Sequence, residues 1–289
     1  MAGASRTLPP PPGAGIGLKS AHFADILDAA ARGAGPSWVE VHPQNYMMDG
    51  GPMHHWLTAV HERLPLSFHS VGLSLGNPDG VDRDELERLA RLADRYAPAL
   101  ISDHLSWSSL DGEQIPDLLP LPMTAASLAH FAVQVDQVQD RLGRPILIEN
   151  PSRMIGFAHD SYDEPDFLVE LAGRTGCGLL LDLNNVLVQR TNLGIDPIDY
   201  VDRISSHLVG EIHVAGHSVE DHGGERLAID DHGSPVGKEC WELLAHVTAR
   251  WGPRPVLVEW DNDVPAFAEL AAEAGRADLI LGEALANAA

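Results

Sequence analysis

Short apolar runs in this chain end in residues that bind metals. The endings are Ser67-Phe68-His69, Ser102-Asp103-His104, Leu147-Ile148-Glu149, Leu180-Leu181-Asp182, Glu211-Ile212-His213 and Leu257-Val258-Glu259. The stretch Ile229-Asp230-Asp231-His232-Gly233 adds one more imidazole and an acid. Polar groups inside apolar runs are costly unless they find partners. Crowded carboxylates also raise one another's pKa values, and a divalent or trivalent cation removes that penalty. Four imidazoles and four carboxylates exceed the roughly four to six positions of one ion. Two or three ions held a few ångströms apart by bridging carboxylates are therefore expected. A nitrogen and oxygen set without thiolate favours iron, manganese or zinc. A lone strand-end histidine is more often a hydrogen-bonded structural residue; it is the recurrence at six run ends that argues for a metal site.

These residues need a frame that gathers them. Eight runs rich in Val, Ile and Leu read as strands: Gly15–Ser20, Trp38–His42, Leu66–Leu75, Ala99–Trp107, Pro145–Asn150, Gly178–Asn185, Val209–His217 and Pro255–Asp261. Their near-continuous hydrophobicity suits strands buried on both faces. Helical stretches alternate with them at His22–Arg32, Asp82–Tyr96, Thr124–Leu142, Glu164–Thr175, Pro197–His207, Lys238–Trp251 and Val264–Ala288, with a weaker one at Met53–Arg63. Thr124 and Asp163 are plausible N-caps. The alternation predicts an α/β fold, a single (β/α)8 TIM barrel with its metal site at the C-terminal ends of the strands. An open doubly wound sheet is the alternative, but neither GxGxxG after the first strand nor GxxxxGK[ST] occurs. The polar loop Gly216–Gly237 is expected to form a lid or a β-hairpin over the site. Glu40, His42, His217, Asn150 and Asn185 fall near the same ends and are expected to orient ligands or contact substrate; a turn-forming role accounts for the two asparagines nearly as well. His54, His55, His61, His130, His207 and His246 fall on the helices and are expected to face solvent or cap.

Composition narrows the function. The 289 residues carry 19 Lys+Arg against 42 Asp+Glu, a formal charge of −23. That balance argues against nucleic acid as a partner, because phosphates are repelled. No apolar run is long enough to span a membrane. Residues 1–14 read as a flexible Pro-rich leader before a domain covering 15–289, with no signal peptide. Cys177 and Cys240, without a CxxC pairing, read as buried free thiols in a reducing cytoplasm. No GxSxG elbow supports a serine nucleophile, and no catalytic side chain is indicated beyond the metal ligands.

Several blocks together resemble one family. They are Gly15-Ile16-Gly17-Leu18, Glu40-Val41-His42-Pro43-Gln44-Asn45-Tyr46, His69-Ser70-Val71-Gly72-Leu73-Ser74-Leu75-Gly76, Ser102-Asp103-His104-Leu105-Ser106-Trp107 and Asp117-Leu118-Leu119-Pro120-Leu121-Pro122. Glu149-Asn150-Pro151-Ser152, Leu181-Asp182-Leu183-Asn184-Asn185-Val186, Glu211-Ile212-His213-Val214-Ala215-Gly216-His217 and Asp230-Asp231-His232-Gly233 continue the pattern. On these the chain resembles the multinuclear non-haem iron-dependent oxidases, a family that includes the iron subunit of the methanobactin-making enzyme. The resemblance runs from Gly15 to Asn262. It implies a TIM barrel with two or three iron ions of mixed Fe(II)/Fe(III) state, dioxygen as co-substrate, and cysteine modification in a ribosomally made precursor peptide. It also implies a possible partner protein that recognises the peptide leader. Carried over block by block, the ligands are His69, His104, Glu149, Asp182, His213, Asp230, His232 and Glu259, with Asp230 preferred to Asp231 on the family's Asp-x-His. Two positions depart from the family: Gln44 stands where an acid is usual, and Trp260 where Arg is usual. Both are expected at the substrate pocket. The competing readings are a zinc- or manganese-dependent barrel isomerase or hydrolase, and a non-catalytic metal- or peptide-binding module.

Overall fold

The computed structural model describes residues 13–110 and 112–288. Residues 1–12, most of the expected leader, lie outside the described residues. Ala14 already belongs to the first strand, where its N–H donates to Asp278 at 2.8 Å.

Eight parallel strands close into a barrel: β1 (Ala14–Gly17), β2 (Trp38–Val41), β3 (Leu66–His69), β4 (Leu100–His104), β7 (Leu147–Glu149), β8 (Gly178–Asp182), β9 (Val209–Ala215) and β12 (Val256–Glu259). Each matches a predicted run. The runs overshoot at their C-terminal ends because the polar residues there leave the sheet for the loops. The third run overshoots furthest, ending at His69 and not Leu75, and the sixth changes type. The sheet stops at Asp182, and α6 (Leu183–Leu193) starts at once, with the Asp182 carboxylate accepting from Asn185 N–H at 2.6 Å. Asn185 thus sits in the first turn of a helix, not on a strand.

The other expected helices form as α1 (Phe23–Ala31), α2 (Pro52–His61), α3 (Arg83–Tyr96), α4 (Ala125–Leu142), α5 (Glu164–Thr175), α8 (Lys238–Trp251) and α9 (Phe267–Ala288). The stretch 197–207 breaks into α7 (Pro197–Asp202) and a 3-10 turn from Ser206. Thr124 caps α4 through Ser127 N–H at 3.2 Å. Asp163 occupies the cap position of α5 without bonding its N–H groups; its carboxylate faces Arg203 at 2.9 Å instead. Two antiparallel hairpins stand outside the barrel. β10 (Ser218–Asp221) pairs with β11 (Arg226–Ile229), the hairpin expected in the long polar loop, and β5 (Trp107–Leu110) pairs with β6 (Glu113–Leu119). Asp111-Gly112 is the sequence signal for the second hairpin, which the run pattern misses.

Alternation along the strands sorts the interior into layers. Phe68, Ile101, Ile148, Leu181, Ile212 and Val258 face the helices and join the main core. The inward residues begin with a small separate apolar layer of Leu100, Leu147 and Leu180. Gly15 leaves room for the fully buried Trp38 ring, whose atoms lie 2.4 Å from where a Gly15 Cβ would stand. Above that floor come Glu40, Ser67, Ser102 and Glu211, and above them His69, His104, Glu149, Asp182, His213 and Glu259. A bulge at Gly210 sets the phase of β9: Leu179 pairs with Val209 while Leu180 pairs with Glu211. The extra residue keeps Glu211 and His213 inward.

Gly216 ends β9 under the loop that carries Asp230 and His232. A Cβ there would stand 2.4 Å from the Ser234 carbonyl oxygen and 2.6 Å from that of Pro235. Gly216→Ala is expected to destabilise the fold by about 1–3 kcal/mol and to lower bound metal, read by denaturant unfolding and metal analysis.

Candidate metal centre

The barrel brings all eight sequence-predicted ligands to one mouth. His69 Nε2, His104 Nε2 and Glu149 Oε2 form a tight triangle with sides of 3.1, 3.2 and 3.1 Å. Those edges match one face of the coordination shell of an ion with bonds of about 2.1 Å. Glu149 Oε2 is buried with no hydrogen bond, and so is Asp182 Oδ2. Buried oxygens left without partners carry a desolvation penalty that a cation relieves. The residues therefore fit a metal cluster.

Three groups of potential ligand atoms overlap, each with its atoms within 4.8 Å of one another. His69, His104 and Glu149 make the first; Glu149, Asp182 and His213 the second; Asp182, His232 and Glu259 the third. Glu149 and Asp182 are each shared, which is the disposition of bridging carboxylates. Asp230 joins from the rim, its Oδ1 2.7 Å from His232 Nε2. His232 holds a left-handed backbone with φ of 45°, a strained conformation for a side chain with a Cβ. Its carbonyl accepts from Asp261 and Asn262 N–H groups at 2.9 and 3.2 Å.

Neutral groups fix the orientation of these ligands, as outer partners do around metals. The Ser102 hydroxyl lies 2.8 Å from His69 Nδ1 and 3.4 Å from the Phe68 carbonyl. It donates to that carbonyl and accepts from Nδ1–H, which leaves the His69 Nε2 lone pair for an ion. Asn150 clamps the end of β8, accepting from Asp182 N–H at 2.8 Å and donating to the Asp182 carbonyl at 2.9 Å. Asn185 Nδ2 donates to the Asn150 carbonyl at 3.0 Å and reaches Glu149 Oε1 at 3.4 Å. Asn184, which the strand-end pattern passes over, donates to Asp230 at 2.7 Å, and its side-chain oxygen Oδ1 meets His217 Nδ1 at 2.7 Å. His217 thus acts at one remove from the cluster. His42 Nδ1 meets the His69 carbonyl at 3.2 Å, and its ring lines the cavity over the cluster.

Two acids lie deeper than the expected ligands. His213 Nε2 faces Glu40 Oε1 at 3.4 Å and Glu211 Oε1 at 3.8 Å, while Ser67 donates to Glu211 Oε2 at 3.4 Å. Glu211 goes unassigned in the sequence because it lies two residues before a histidine and its run ends later. Gln44 turns away from the cavity onto Ser70 and Glu85, both at 3.0 Å, and Trp260 is buried in the core. Neither lines the cavity, which corrects the expectation for both. His54 is also corrected: it is buried on the Tyr96 hydroxyl and the Met48 carbonyl, both at 2.7 Å.

Protonation follows from burial and charge together. Burial pushes Glu149 up to about 7, with the nearby imidazoles of His104 and His213 opposing it. Burial and then the Glu149 and Asp230 carboxylates push Asp182 well above the usual range. Glu40 rises to about 7 through burial and the neighbouring Glu211. Burial and the adjacent imidazoles hold His69 well below its usual value. Burial lowers the others too, but acids outweigh it: Glu149 and Asp103 lift His104 to about 9, Glu40 and Glu259 lift His213, and Glu259 and Asp230 lift His232. The metal-free cluster therefore holds protons on the atoms an ion needs.

A family model described as RiPP precursor modification enzyme MbnB/TglH/ChrH matches residues 13–282. A UPF0276 protein of Caulobacter vibrioides is 49% identical over 270 residues, covering 93% of this chain and 95% of that protein. Another, of Caulobacter sp. strain K31, is 48% identical over 276 residues, covering 96% and 99%. Among solved structures, endonuclease IV from Thermus thermophilus aligns with a TM-score of 0.56 at 16% identity, over 95% of this chain and 99% of that one. A D-allulose 3-epimerase from Methylomonas sp. aligns at 0.59 and 12% identity, over 97% and 99%. At such identities the structural likeness shows the fold alone, a TIM barrel. No helix among the described residues is long and apolar enough to cross a membrane.

Removing Asn150 leaves the Asp182 N–H and carbonyl buried without their side-chain partner. Asn150→Ala is expected to cost about 1–3 kcal/mol and to reduce bound metal, measured by unfolding and metal analysis. Metal loading at pH 7 is expected to release protons from raised groups such as His104, Glu149 and Asp182. Affinity should then rise with pH, and a pH-indicator titration in weak buffer reads the protons directly.

Proposed function

The chain belongs to the family of RiPP precursor modification enzymes, and on that premise we propose that it is an iron-dependent oxidase. In this reading it uses dioxygen to modify cysteine residues of a ribosomally made precursor peptide. The observation that carries the reading is the run of three overlapping ligand groups sharing Glu149 and Asp182, which suits two or three iron ions. Bound iron would supply the one-electron chemistry with dioxygen that no side chain provides.

The chain's own residues hold, orient and shield. His69, His104 and Glu149 line the cavity and would hold the ion nearest incoming substrate. Glu259, Asp230 and His232 line the same cavity, while Asp182 and His213 lie beneath it. Ser102 sets the tautomer of His69. Glu40 faces His213 Nε2 at 3.4 Å and Glu259 faces its Nδ1 at 3.1 Å, which together fix the ring. Apolar layers on both sides of the sheet keep bulk water from the ligand set.

The reacting thiol would come from the substrate. Burial pushes Cys177 up to about 11 and Cys240 higher still, and neither lines the cavity. Thiols held in that state are poor nucleophiles and poor ligands. A reducing cytoplasm would keep substrate cysteines available. A separate protein that recognises the peptide leader fits as partner.

The test is metal content with Mössbauer and EPR spectra of anaerobically purified protein, followed by oxygen uptake with a cysteine-bearing precursor peptide. At least two irons per chain and peptide-dependent oxygen consumption are expected. His69→Ala and Glu149→Ala are each expected to lower iron content and to abolish uptake. Full turnover with zinc alone, or unchanged iron in both variants, overturns the reading.

A further inference from the structure

The cavity above the cluster encloses about 620 Å³ and has two kinds of surface. Its floor is the ligand set, and its walls are largely apolar. One wall is β6. There Trp107 pairs with Leu119 but Ser109 pairs with Gln114, so residues 115–118 bulge against a single residue of β5. Bulges re-aim side chains beside active sites. Here the bulge sets Ile115 and Leu118 on the cavity.

The second apolar wall is the loop after β7. Met154 and Ile155 line the cavity yet remain 48% and 55% exposed. The backbone around them is fixed. Gln189 donates to the Pro151 carbonyl at 2.8 Å, and Asn192 Nδ2 reaches the Arg153 carbonyl at 3.4 Å. The buried Arg153 guanidinium joins Asp160 at 3.1 Å and the buried Glu164 at 3.3 Å. Two large apolar side chains are thus held in water by an anchored loop, on the same cavity as a second apolar surface. Apolar side chains that line a concave cavity beside convergent polar groups are the usual composition of a ligand site. The cavity also carries the acids Asp117, Asp230 and Asp261, of which only Asp261 is paired with a lysine, Lys19, among the described residues.

We infer that the residue next to the reacting one in the precursor peptide is large and apolar, seated in a clamp formed by Ile115 and Leu118 with Met154 and Ile155. This rests on the peptide-modifying reading and names a specificity determinant of the same site. An apolar insert removes both walls from water. An acidic residue there would meet Asp117 on the same wall and lose its hydration against the apolar side chains, and so be rejected.

The test uses the full-length, iron-loaded protein under anaerobic conditions. The probes are fluorescein-labelled octapeptides with Leu, Ser or Glu beside a central Cys, and a matched set with Ser in place of that Cys. Fluorescence anisotropy is expected to rank Leu above Ser by about tenfold or more, the scale of burying one Leu side chain, with Glu weakest. The double variant Met154→Ser/Ile155→Ser is expected to lose the Leu preference while keeping its iron content. Leu118→Ser tests the facing wall independently. Equal binding of Leu and Ser peptides, a preference that survives both variants, or no binding of any peptide overturns the clamp. The matched set separates this proposal from the cysteine reading. A Leu preference that ignores the Cys-to-Ser change leaves the clamp standing and removes the thiol. Cys-dependent binding without a Leu preference does the reverse.

Discussion

Too much negative charge is gathered in too little water at the mouth of this barrel, and much of the surrounding structure answers that problem. Glu40, Glu149, Asp182, Glu211 and Glu259 are all buried, alongside only three buried imidazoles at the mouth, those of His69, His104 and His213. In a low-dielectric interior such a set cannot stay fully ionised without counter-charge. Protons supply that charge in the metal-free chain, which is why Glu149 and Asp182 are pushed up while Glu259, beside His232 and His213, is held down to about 2 despite its burial. Ions and protons compete for the same atoms. Several of the neighbours that orient the ligands are neutral: Ser102, Asn150, Asn184 and Asn185 add hydrogen bonds without adding charge.

The closed parallel sheet makes this concentration possible. Strand ends distant in sequence meet at one rim, while Leu100, Leu147 and Leu180 close the interior beneath with a dry layer. Trp38 fills the space left by Gly15 on the same side. The cavity over the ligands lies at the mouth, where the β5–β6 hairpin and the loop of Met154 and Ile155 stand. The ligand set is therefore approached, among the described residues, through the cavity at that mouth.

Most of this architecture is legible in the sequence for a simple reason. A strand buried on both faces reads as an apolar run, and a polar residue at its end stands out. That contrast locates His69, His104, Glu149, Asp182, His213 and Glu259. It fails where polarity lies deeper within a run, because Glu211 points into the barrel between apolar neighbours that point outward. It fails again at Asp182, where a cap and the helix it starts share one apolar stretch, so the start of α6 reads as strand. The β5–β6 hairpin escapes because its bulge and Pro116 break the alternation that marks a strand. His54 reads as solvent-facing because a helix pattern does not show that Tyr96 waits on the neighbouring helix. Gln44 and Trp260 point to the pocket by their position in family blocks, but sequence position does not fix the direction of a side chain.

The same charge argument separates the ligand groups from one another. His42, Glu259 and Asp261 also bring potential ligand atoms within 4.8 Å. There the Lys19 ammonium bonds Asp261 and already supplies a tethered cation, aided by the His232 ring 3.6 Å away. Burial raises the Asp261 pKa but these partners drive it far below the usual carboxylate range, so that carboxylate is neutralised without a metal. Glu40, Glu211 and His213 form another such group at the deepest level. There the His213 ring, its pKa lowered by burial but lifted more by Glu40 and Glu259, sets positive charge beside Glu40, although Glu40 Oε2 and Glu211 Oε1 keep no hydrogen-bond partner. The three groups that share Glu149 and Asp182 have imidazoles alone as positive partners, with no lysine or arginine paired to them among the described residues. Their unsatisfied oxygens, Glu149 Oε2 and Asp182 Oδ2, are the shared ones, and so the charge deficit lies where bridging ions would sit.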